Sequence, residues 1–315
     1  MTTTMKAVRL HDYGAIENLI YEDAPIPQPQ SGEVLIKVHA VGINPIDCKI
    51  RAGKLKHLLN YQFPVILGLD VSGVVAELGE GVTDLQIGDA IYGIVEPSRA
   101  GGYAEYAIAK ADKIAPKPKT LDFLQSASIP VAALTAWQAM FDVAQLSSQQ
   151  SILIHAAAGS VGISAVQLAK WKGAKVIGTA SPRNIQFVSD LGADQVIDYT
   201  QSKFEDILSY IDVVLDSLGG ETRSRSWKVL KKGGFLVSLI LSPPPSEEIA
   251  NQFGVKTHGL HMNPNSTHLR EIATLIDNGQ LKTVIGEVLP LSEIHKAHKL
   301  SESGKIRGKI MLQIV

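Results

Sequence analysis

One stretch limits what this chain can fold into more than any other: Ser151–Gly162, read Ser-Ile-Leu-Ile-His-Ala-Ala-Ala-Gly-Ser-Val-Gly. A short β-prone run, Ser151–Ile154, ends in a cluster of tiny residues, and Val161, Ala165, Leu168 and Ala169 follow at helical spacing. Strand, tight turn and helix in that order, with the turn reading Ala157-x-Gly159-x-x-Gly162, form the dinucleotide-binding fingerprint with alanine in the first glycine place. The motif supplies bare backbone, so that a pyrophosphate can reach the N–H groups of Gly159, Ser160, Val161 and Gly162 at a helix N-terminus. Gly159 permits the close approach, and Gly162 lets the helix lie on the strand. Small residues also gather wherever a helix packs tightly on a sheet. The continuation separates the two readings. Trp171–Ala174 stops the helix, and a second strand, Lys175–Thr179, ends about twenty residues beyond the fingerprint, where a ribose-reading side chain belongs.

Charge and cysteine content exclude other classes. A net charge of −1 gives no electrostatic case for nucleic acid or an anionic membrane as partner. The single cysteine, Cys48, rules out a disulfide framework and a four-cysteine zinc lobe. The 315 residues, 45% apolar and 19% charged, suit two globular domains. No run approaches the roughly 18 uninterrupted apolar residues of a membrane span, and Met1–Lys6 has no apolar segment of signal type. The chain reads as cytoplasmic.

The first third is rich in short strands: Lys6–Leu10, Leu19–Glu22, Glu33–Val41 with a period of two, Pro64–Gly68, Val71–Leu78, Asp89–Ile94 and Gly102–Ala109. Gly42–Gly53 reads as a turn leading into a short helix. Many short strands without long helices suggest a small barrel-like domain over residues 1–124. Ser126–Ala144 reads as one long Ala-rich helix kinked at Pro130. Strands at Ser151–His155, Lys175–Thr179, Gln195–Asp198, Ile211–Asp216, Gly234–Leu239 and Val255–Leu260 then alternate with helices, the pattern of a parallel sheet over residues 125–267. Ser266–Asn278 is a further helix, and Lys282–Pro290 and Lys309–Ile314 are strands that return residues 268–315 to the first domain.

These motifs together resemble the medium-chain dehydrogenase/reductase superfamily over essentially the whole chain. The carriers are Lys37–Val41 with Gly42–Asp47, Gly68–Val75, Gly88–Asp89, Gly102–Tyr106, the Ala157–Gly162 turn and Gly308–Ile310. Within the superfamily the chain looks like the zinc-independent quinone oxidoreductases and related enone reductases. The resemblance implies an α/β protein: a doubly wound Rossmann sheet inserted into a GroES-like β-barrel domain. The places of the catalytic zinc ligands in zinc-binding relatives look like Asn44, Leu69 and Val131, none of which carries a thiolate or imidazole. The likeness also implies a cofactor contact near Thr135, though helix packing explains that residue too. A homodimer is implied as well, formed through a sheet edge near Phe235–Leu241.

The end of the second nucleotide-domain strand, Thr179–Asn184, holds no Asp or Glu to accept from a ribose 2′-OH. Ser181 can donate to a 2′-phosphate and Arg183 can neutralise it, which argues for NADPH; a loop arginine can equally be solvated. At the carboxyl ends of the following strands, Tyr199 is placed for the adenine or is an ordinary surface tyrosine. Ser217 and Leu218 follow the fourth strand, and Ser238 and Leu239 are placed to approach the nicotinamide ribose and ring. Lys305, Arg307 and Lys309 either reach phosphates or form a solvated basic end. Without a Lewis acid, the suitable acceptor is one that spreads the developing charge over its own π system: a quinone or an α,β-unsaturated carbonyl. Asn44 can offer an amide N–H. Lys49, which stands where many of these quinone reductases carry tyrosine and the enone branch often carries lysine, can protonate the product or be a solvated helix-face residue. Asp47 caps or pairs, and Tyr61 and Tyr103 are alternative donors with packing roles. The loops Lys54–Phe63, Glu96–Gly101 and Leu241–Gly254 set the choice of acceptor. The competing reading is a non-catalytic NADPH-binding protein of the same fold; a thioester reductase ranks last, there being no carrier-protein domain.

Overall fold

Glycine-punctuated strands build the first of two units, drawn from Met1–Val131, Pro264–Gly279 and Thr283–Val315. The computed structural model describes residues 3–59 and 61–314, so Asn60, within the Lys54–Phe63 loop, and Met1, Thr2 and Val315 at the ends lie outside the description. Strand β1 (Thr4–Leu10) pairs antiparallel with β2 (Leu19–Pro25). Next come β3 (Glu33–Ile43), helix α1 (Pro45–Arg51), β4 (Val65–Ile66), β5 (Asp70–Leu78), β6 (Ala90–Ile94), β7 (Tyr106–Lys110) and β8 (Ile114–Pro116). β4 returns to β1 to complete a three-stranded sheet. β3 is not the half-buried strand that its alternation suggests: nearly every residue from Glu33 to Ile43 is buried. It pairs with β5, β7 and the last strand of the chain, and side chains such as Ile36, Val38 and Val41 join one apolar cluster with Val8, Leu67 and Ile91.

Asp122 caps α2 (Phe123–Ala127), accepting from the Gln125 N–H at 2.7 Å while Gln125 Oε1 accepts from Asp122 N. A separate helix, α3 (Pro130–Trp137), continues as a π-helical stretch over Gln138–Val143. The single kinked helix expected over Ser126–Ala144 is therefore two. Proline lacks an N–H and crowds the carbonyl four residues back, so Pro130 opens a new first turn instead of bending an old one.

The second unit, Ala132–Asn263 with Gln280–Lys282, alternates strand and helix. Its elements are β9 (Ser151–Ile154), α4 (Ser160–Trp171), β10 (Lys175–Ala180), α5 (Ile185–Asp190), β11 (Gln195–Asp198), α6 (Phe204–Ile207), β12 (Ile211–Asp216), α7 (Gly220–Ser226), β13 (Leu230–Ser238), α8 (Glu247–Phe253) and β14 (Lys256–Gly259). All six strands are parallel, in the order β11-β10-β9-β12-β13-β14. Leu153, Ile177, Val214, Trp227 and Leu236 pack into one buried cluster. The strand order reverses at β9, and ligands of such sheets bind beyond the carboxyl ends at that reversal. β13 is bonded on both sides, so the Phe235–Leu241 region is not the sheet edge; β14 is.

Helix α9 (Ser266–Asp277), β15 (Ile285–Pro290), α10 (Ile294–Ser303) and β16 (Lys309–Gln313) belong again to the first unit, apart from the short 280–282 segment. β15 begins three residues later than the Lys282 expected. The large sheet then runs β15-β16-β3-β5-β6-β8, with β7 on β3. Among the described residues, no helix is long and apolar enough to cross a membrane.

Candidate cofactor and active site

The turn after β9 is built for close approach. Ala156 takes a left-handed backbone (φ 51°), and the Gly159 N–H donates to its carbonyl at 2.9 Å. The left-handed residue is thus Ala156, one before the alanine that replaces the first glycine of the fingerprint. A Cβ on Gly162 would lie 2.4 Å from that same carbonyl oxygen and 2.7 Å from Ala157 Cα, so only glycine fits there. On Gly159 a Cβ would meet only the Ala156 oxygen, at 3.3 Å. Gly159 is the N-cap of α4 and supplies no capping side chain, leaving the first-turn N–H groups of Ser160, Val161 and Gly162 to a ligand. These residues fit a dinucleotide pyrophosphate. His155 ties the turn down: its ring nitrogens lie 3.3 Å from Thr179 Oγ1 and 2.9 Å from Ser226 Oγ, and burial pushes its pKa down to about 4.

At the end of β10, Ser181 Oγ accepts from Asn184 Nδ2 at 3.2 Å, which leaves its own proton to donate. Arg183 is exposed beside it. The carboxylate that the parallel register sets beside Ala180, Asp198, is turned onto Thr200, accepting from its N–H and hydroxyl at 2.9 and 2.7 Å. Tyr199, 60% exposed, follows at the same edge. Ser217 donates to the His155 carbonyl at 3.0 Å, and Leu218 is exposed. Ser238 ends β13 as the sequence suggests, but its hydroxyl is engaged elsewhere. It is fully buried, donating to Asp216 Oδ2 at 2.8 Å and accepting from Arg223 Nη2 at 2.9 Å, so its hydroxyl is not turned to a ribose. Leu239, half-buried, is the first residue past it, and Thr135 is buried on α3.

In the first unit, register brings three polar residues together. β16 sets Ile310 against Ile43, and β5 sets Asp70 against Gly42, so Lys309, Asn44 and Asp70 meet at the ends of adjacent strands. Lys309 Nζ donates to Asn44 Oδ1 and Asp70 Oδ2, both at 2.5 Å, and Asn44 Nδ2 donates to Asp70 Oδ2 at 2.9 Å. Lys309 is 2% exposed, which corrects the expectation that it belongs to a solvated basic end. A Cβ on Gly42 would fall 2.6 Å from Lys309 Cε, so glycine there lets the lysine cross β3 to its partner. Asp70 Oδ1 accepts from the Val131 N–H at 2.6 Å. Asn44 also reaches the Gly42 carbonyl at 3.5 Å, so its amide is engaged within the unit.

Asn44 is the N-cap of α1, and its N–H donates to Asp47 Oδ2 at 2.8 Å. Tyr103 donates to the same oxygen at 3.0 Å, while Asp47 Oδ1 is buried without a partner. Burial pushes the Asp47 carboxyl up to about 7. One residue on, Cys48 Sγ lies 3.4 Å from His298 Nδ1, and burial holds the thiol up at about 11 and the imidazole down at about 3. Lys49 is exposed on the opposite side of the helix from this cluster, in keeping with its place five residues and about 140° round from Asn44. The sequence reading missed Asp70 and His298, and missed that Lys309 is buried against Asn44 and Asp70, because the partners lie 26 to 265 residues away. Among the described residues, no group of three or more His, Cys, Asp or Glu could hold a metal ion.

Comparison with known proteins agrees with this architecture. Residues 30–119 match the alcohol dehydrogenase GroES-like domain family, and residues 191–312 match the zinc-binding dehydrogenase family. An NADPH-dependent alkenal/one oxidoreductase of Arabidopsis thaliana, described as chloroplastic, is 34% identical, covering 98% of this chain and 79% of that protein. The quinone oxidoreductase of Mus musculus is 33% identical over 98% of this chain and 97% of its own length. The solved quinone oxidoreductase of Coxiella burnetii superposes with a TM-score of 0.90 at 39% identity, covering 99% of this chain and all of that one. The parallel sheet with its glycine-lined turn, the β-rich unit and these full-length likenesses lead to one conclusion: the chain belongs to the medium-chain dehydrogenase/reductase superfamily of NAD(P)-dependent oxidoreductases.

Proposed function

We propose that this protein is an NADPH-dependent, metal-independent reductase of conjugated acceptors, either quinones or α,β-unsaturated carbonyls. The observation that carries the reading is the end of β10, where Ser181 keeps a proton to donate, Arg183 brings positive charge, and Thr179–Asn184 holds no Asp or Glu. A 2′-phosphate gains a donor and a counter-charge there, whereas a bare 2′-OH finds no carboxylate within Thr179–Asn184. The uncapped first turn of α4 would hold the pyrophosphate, and Tyr199, Ser217, Leu218 and Leu239 would flank the bases along the strand ends. Bound in this way, the cofactor would supply a hydride.

Metal independence is supported by donor chemistry. Asn44, Leu69 and Val131 offer no thiolate, imidazole or carboxylate, and Asp70 beside them already accepts from Lys309, Asn44 and the Val131 N–H. With no such Lewis acid, the acceptor must delocalise the negative charge it receives, which a conjugated system does. The names of the relatives quoted above support both a quinone and an enone as that system. Asn44, held rigidly by Asp70 and Lys309, would fix the start of α1, and the exposed ammonium of Lys49 would hand a proton to the product anion. Absorbance loss of NADPH or NADH, mixed with 1,2-naphthoquinone, 4-hydroxynonenal or an alkyl vinyl ketone, tests the proposal. Turnover with NADPH preferred is expected. Tight NADPH binding with no turnover on any acceptor would favour the non-catalytic reading instead. Lys49→Met should lower kcat/KM at least about tenfold, roughly 1.4 kcal/mol; an unchanged value would assign the proton to solvent.

A further inference from the structure

We infer that Arg223 is a positioning residue for the nicotinamide half of the dinucleotide, acting through the irregular segment that follows β13. The inference rests on the NADPH reading. Arg223 lies in α7, is 7% exposed, and spreads its guanidinium over four partners. Nε donates to Asp216 Oδ2 at 2.7 Å, Nη2 to Ser238 Oγ at 2.9 Å and to the Ile240 carbonyl at 2.8 Å, and Nη1 to the Pro243 carbonyl at 2.9 Å. Burial raises the Asp216 carboxyl, but Arg223, the Gly219 and Leu218 N–H groups and the Ser238 hydroxyl outweigh it and hold the group below its usual range.

Neutralising a buried Asp216 needs only the Nε contact. The two bonds to main-chain carbonyls have a different consequence. Residues 239–245 belong to no strand or helix, and Ser242–Pro244 are exposed. Their backbone course is set from beneath by the guanidinium fork, by the Ile240 N–H on Ser238 Oγ at 3.1 Å, and by the Leu239 N–H on the Asp216 carbonyl at 2.8 Å. This segment leaves the carboxyl end of β13, beside that of β12, on the side of the strand-order reversal opposite β10 and β11. With the 2′-phosphate read at β10, the nicotinamide half falls to β12 and β13. Arg223 touches neither the reacting atoms nor the adenosine half, and lysine cannot replace it because a point charge cannot span four acceptors.

The test compares NADPH with 2′,5′-ADP, which carries the adenosine end alone. Binding of each is measured by calorimetry on wild-type protein and on Arg223→Lys, with folding followed by circular dichroism. We expect Arg223→Lys to weaken NADPH at least about tenfold while 2′,5′-ADP stays within about twofold. Equal weakening of both ligands, or of neither, overturns the inference. Ser238→Ala keeps the Asp216–Arg223 ion pair and removes the hydroxyl under Ile240. It should repeat the pattern at about threefold, and its failure to discriminate the two ligands overturns the inference even if Arg223→Lys does not fold. Wild-type protein that binds neither ligand would remove the NADPH reading itself, an outcome distinct from a variant that binds both normally.

Discussion

Each unit contains a buried trio of a carboxylate, a cation and a neutral polar side chain, yet the two trios are assembled differently. In the second unit Asp216, Arg223 and Ser238 lie 7 to 22 residues apart. In the first, Asn44 and Asp70 wait for Lys309, 265 and 239 residues downstream. The short-range network spends an arginine fork on shaping a loop; the long-range one uses a lysine to fasten the last strand to β3 and β5. One lesson follows. A buried charge whose partners are near in sequence can serve a local surface, whereas one whose partner is distant mainly closes the fold.

The largest effect that would sharpen this contrast is at Lys309. Lys309→Met strands Asp70 as an unpaired buried charge and should cost about 3–5 kcal/mol by urea unfolding, with Asp70→Asn in the same chain recovering part of it. A loss below about 1 kcal/mol would break the comparison.

Next come the two glycines of the phosphate turn. Gly162→Ala drives a methyl group into the Ala156 carbonyl and should cost up to about 3 kcal/mol. Gly159→Ala should cost the fold less than about 1 kcal/mol, its methyl meeting only the Ala156 oxygen at 3.3 Å, while weakening NADPH at least tenfold if the pyrophosphate is bound at the N-terminus of α4. Equal stability losses would show that both glycines serve packing only.

A third effect depends on pH. The folded Asp47 carboxyl titrates at about 7 against an ordinary 3.8, so between these values the folded state holds a proton that the unfolded state has released. Its contribution is therefore complete below about pH 4 and is lost as pH rises to 7. Compared with Asp47→Asn, the wild-type protein should lose about 1.4 kcal/mol per pH unit from pH 5 to 7 and then level off. His298 and His155 run the other way, losing stability as pH falls below their ordinary 6.5, which is why the difference from Asp47→Asn must be read and not the raw curve. A difference independent of pH would sink the claim.

The smallest effect is at Ala156. Replacing it by glycine relieves a left-handed alanine at the cost of chain entropy, and should raise stability by about 0.5–1 kcal/mol in thermal unfolding.

The parallel-sheet unit of this molecule was readable because its signals are contiguous. Ser151–Gly162 writes strand, turn and helix within twelve residues, and the stop at Trp171–Ala174 and the acid-free Thr179–Asn184 follow at fixed spacing. Glu33–Val41 announced a strand correctly but not its burial on both faces, since neighbours on either side come from distant parts of the chain. Ser238 misled for a similar reason: its place at a strand end was legible, but the Arg223 that claims its hydroxyl was not.

What the sequence determined by itself is the parallel sheet, its alternation of strand and crossover helix, and the bare backbone of the turn after β9, because periodicity and small-residue spacing act between near neighbours. What only the tertiary structure decided is which polar groups are buried together. Lys309 on Asp70, Tyr103 on Asp47, His298 on Cys48 and Arg223 beneath the loop after β13 each depend on register and desolvation. Neither exists until the strands are paired and water is gone.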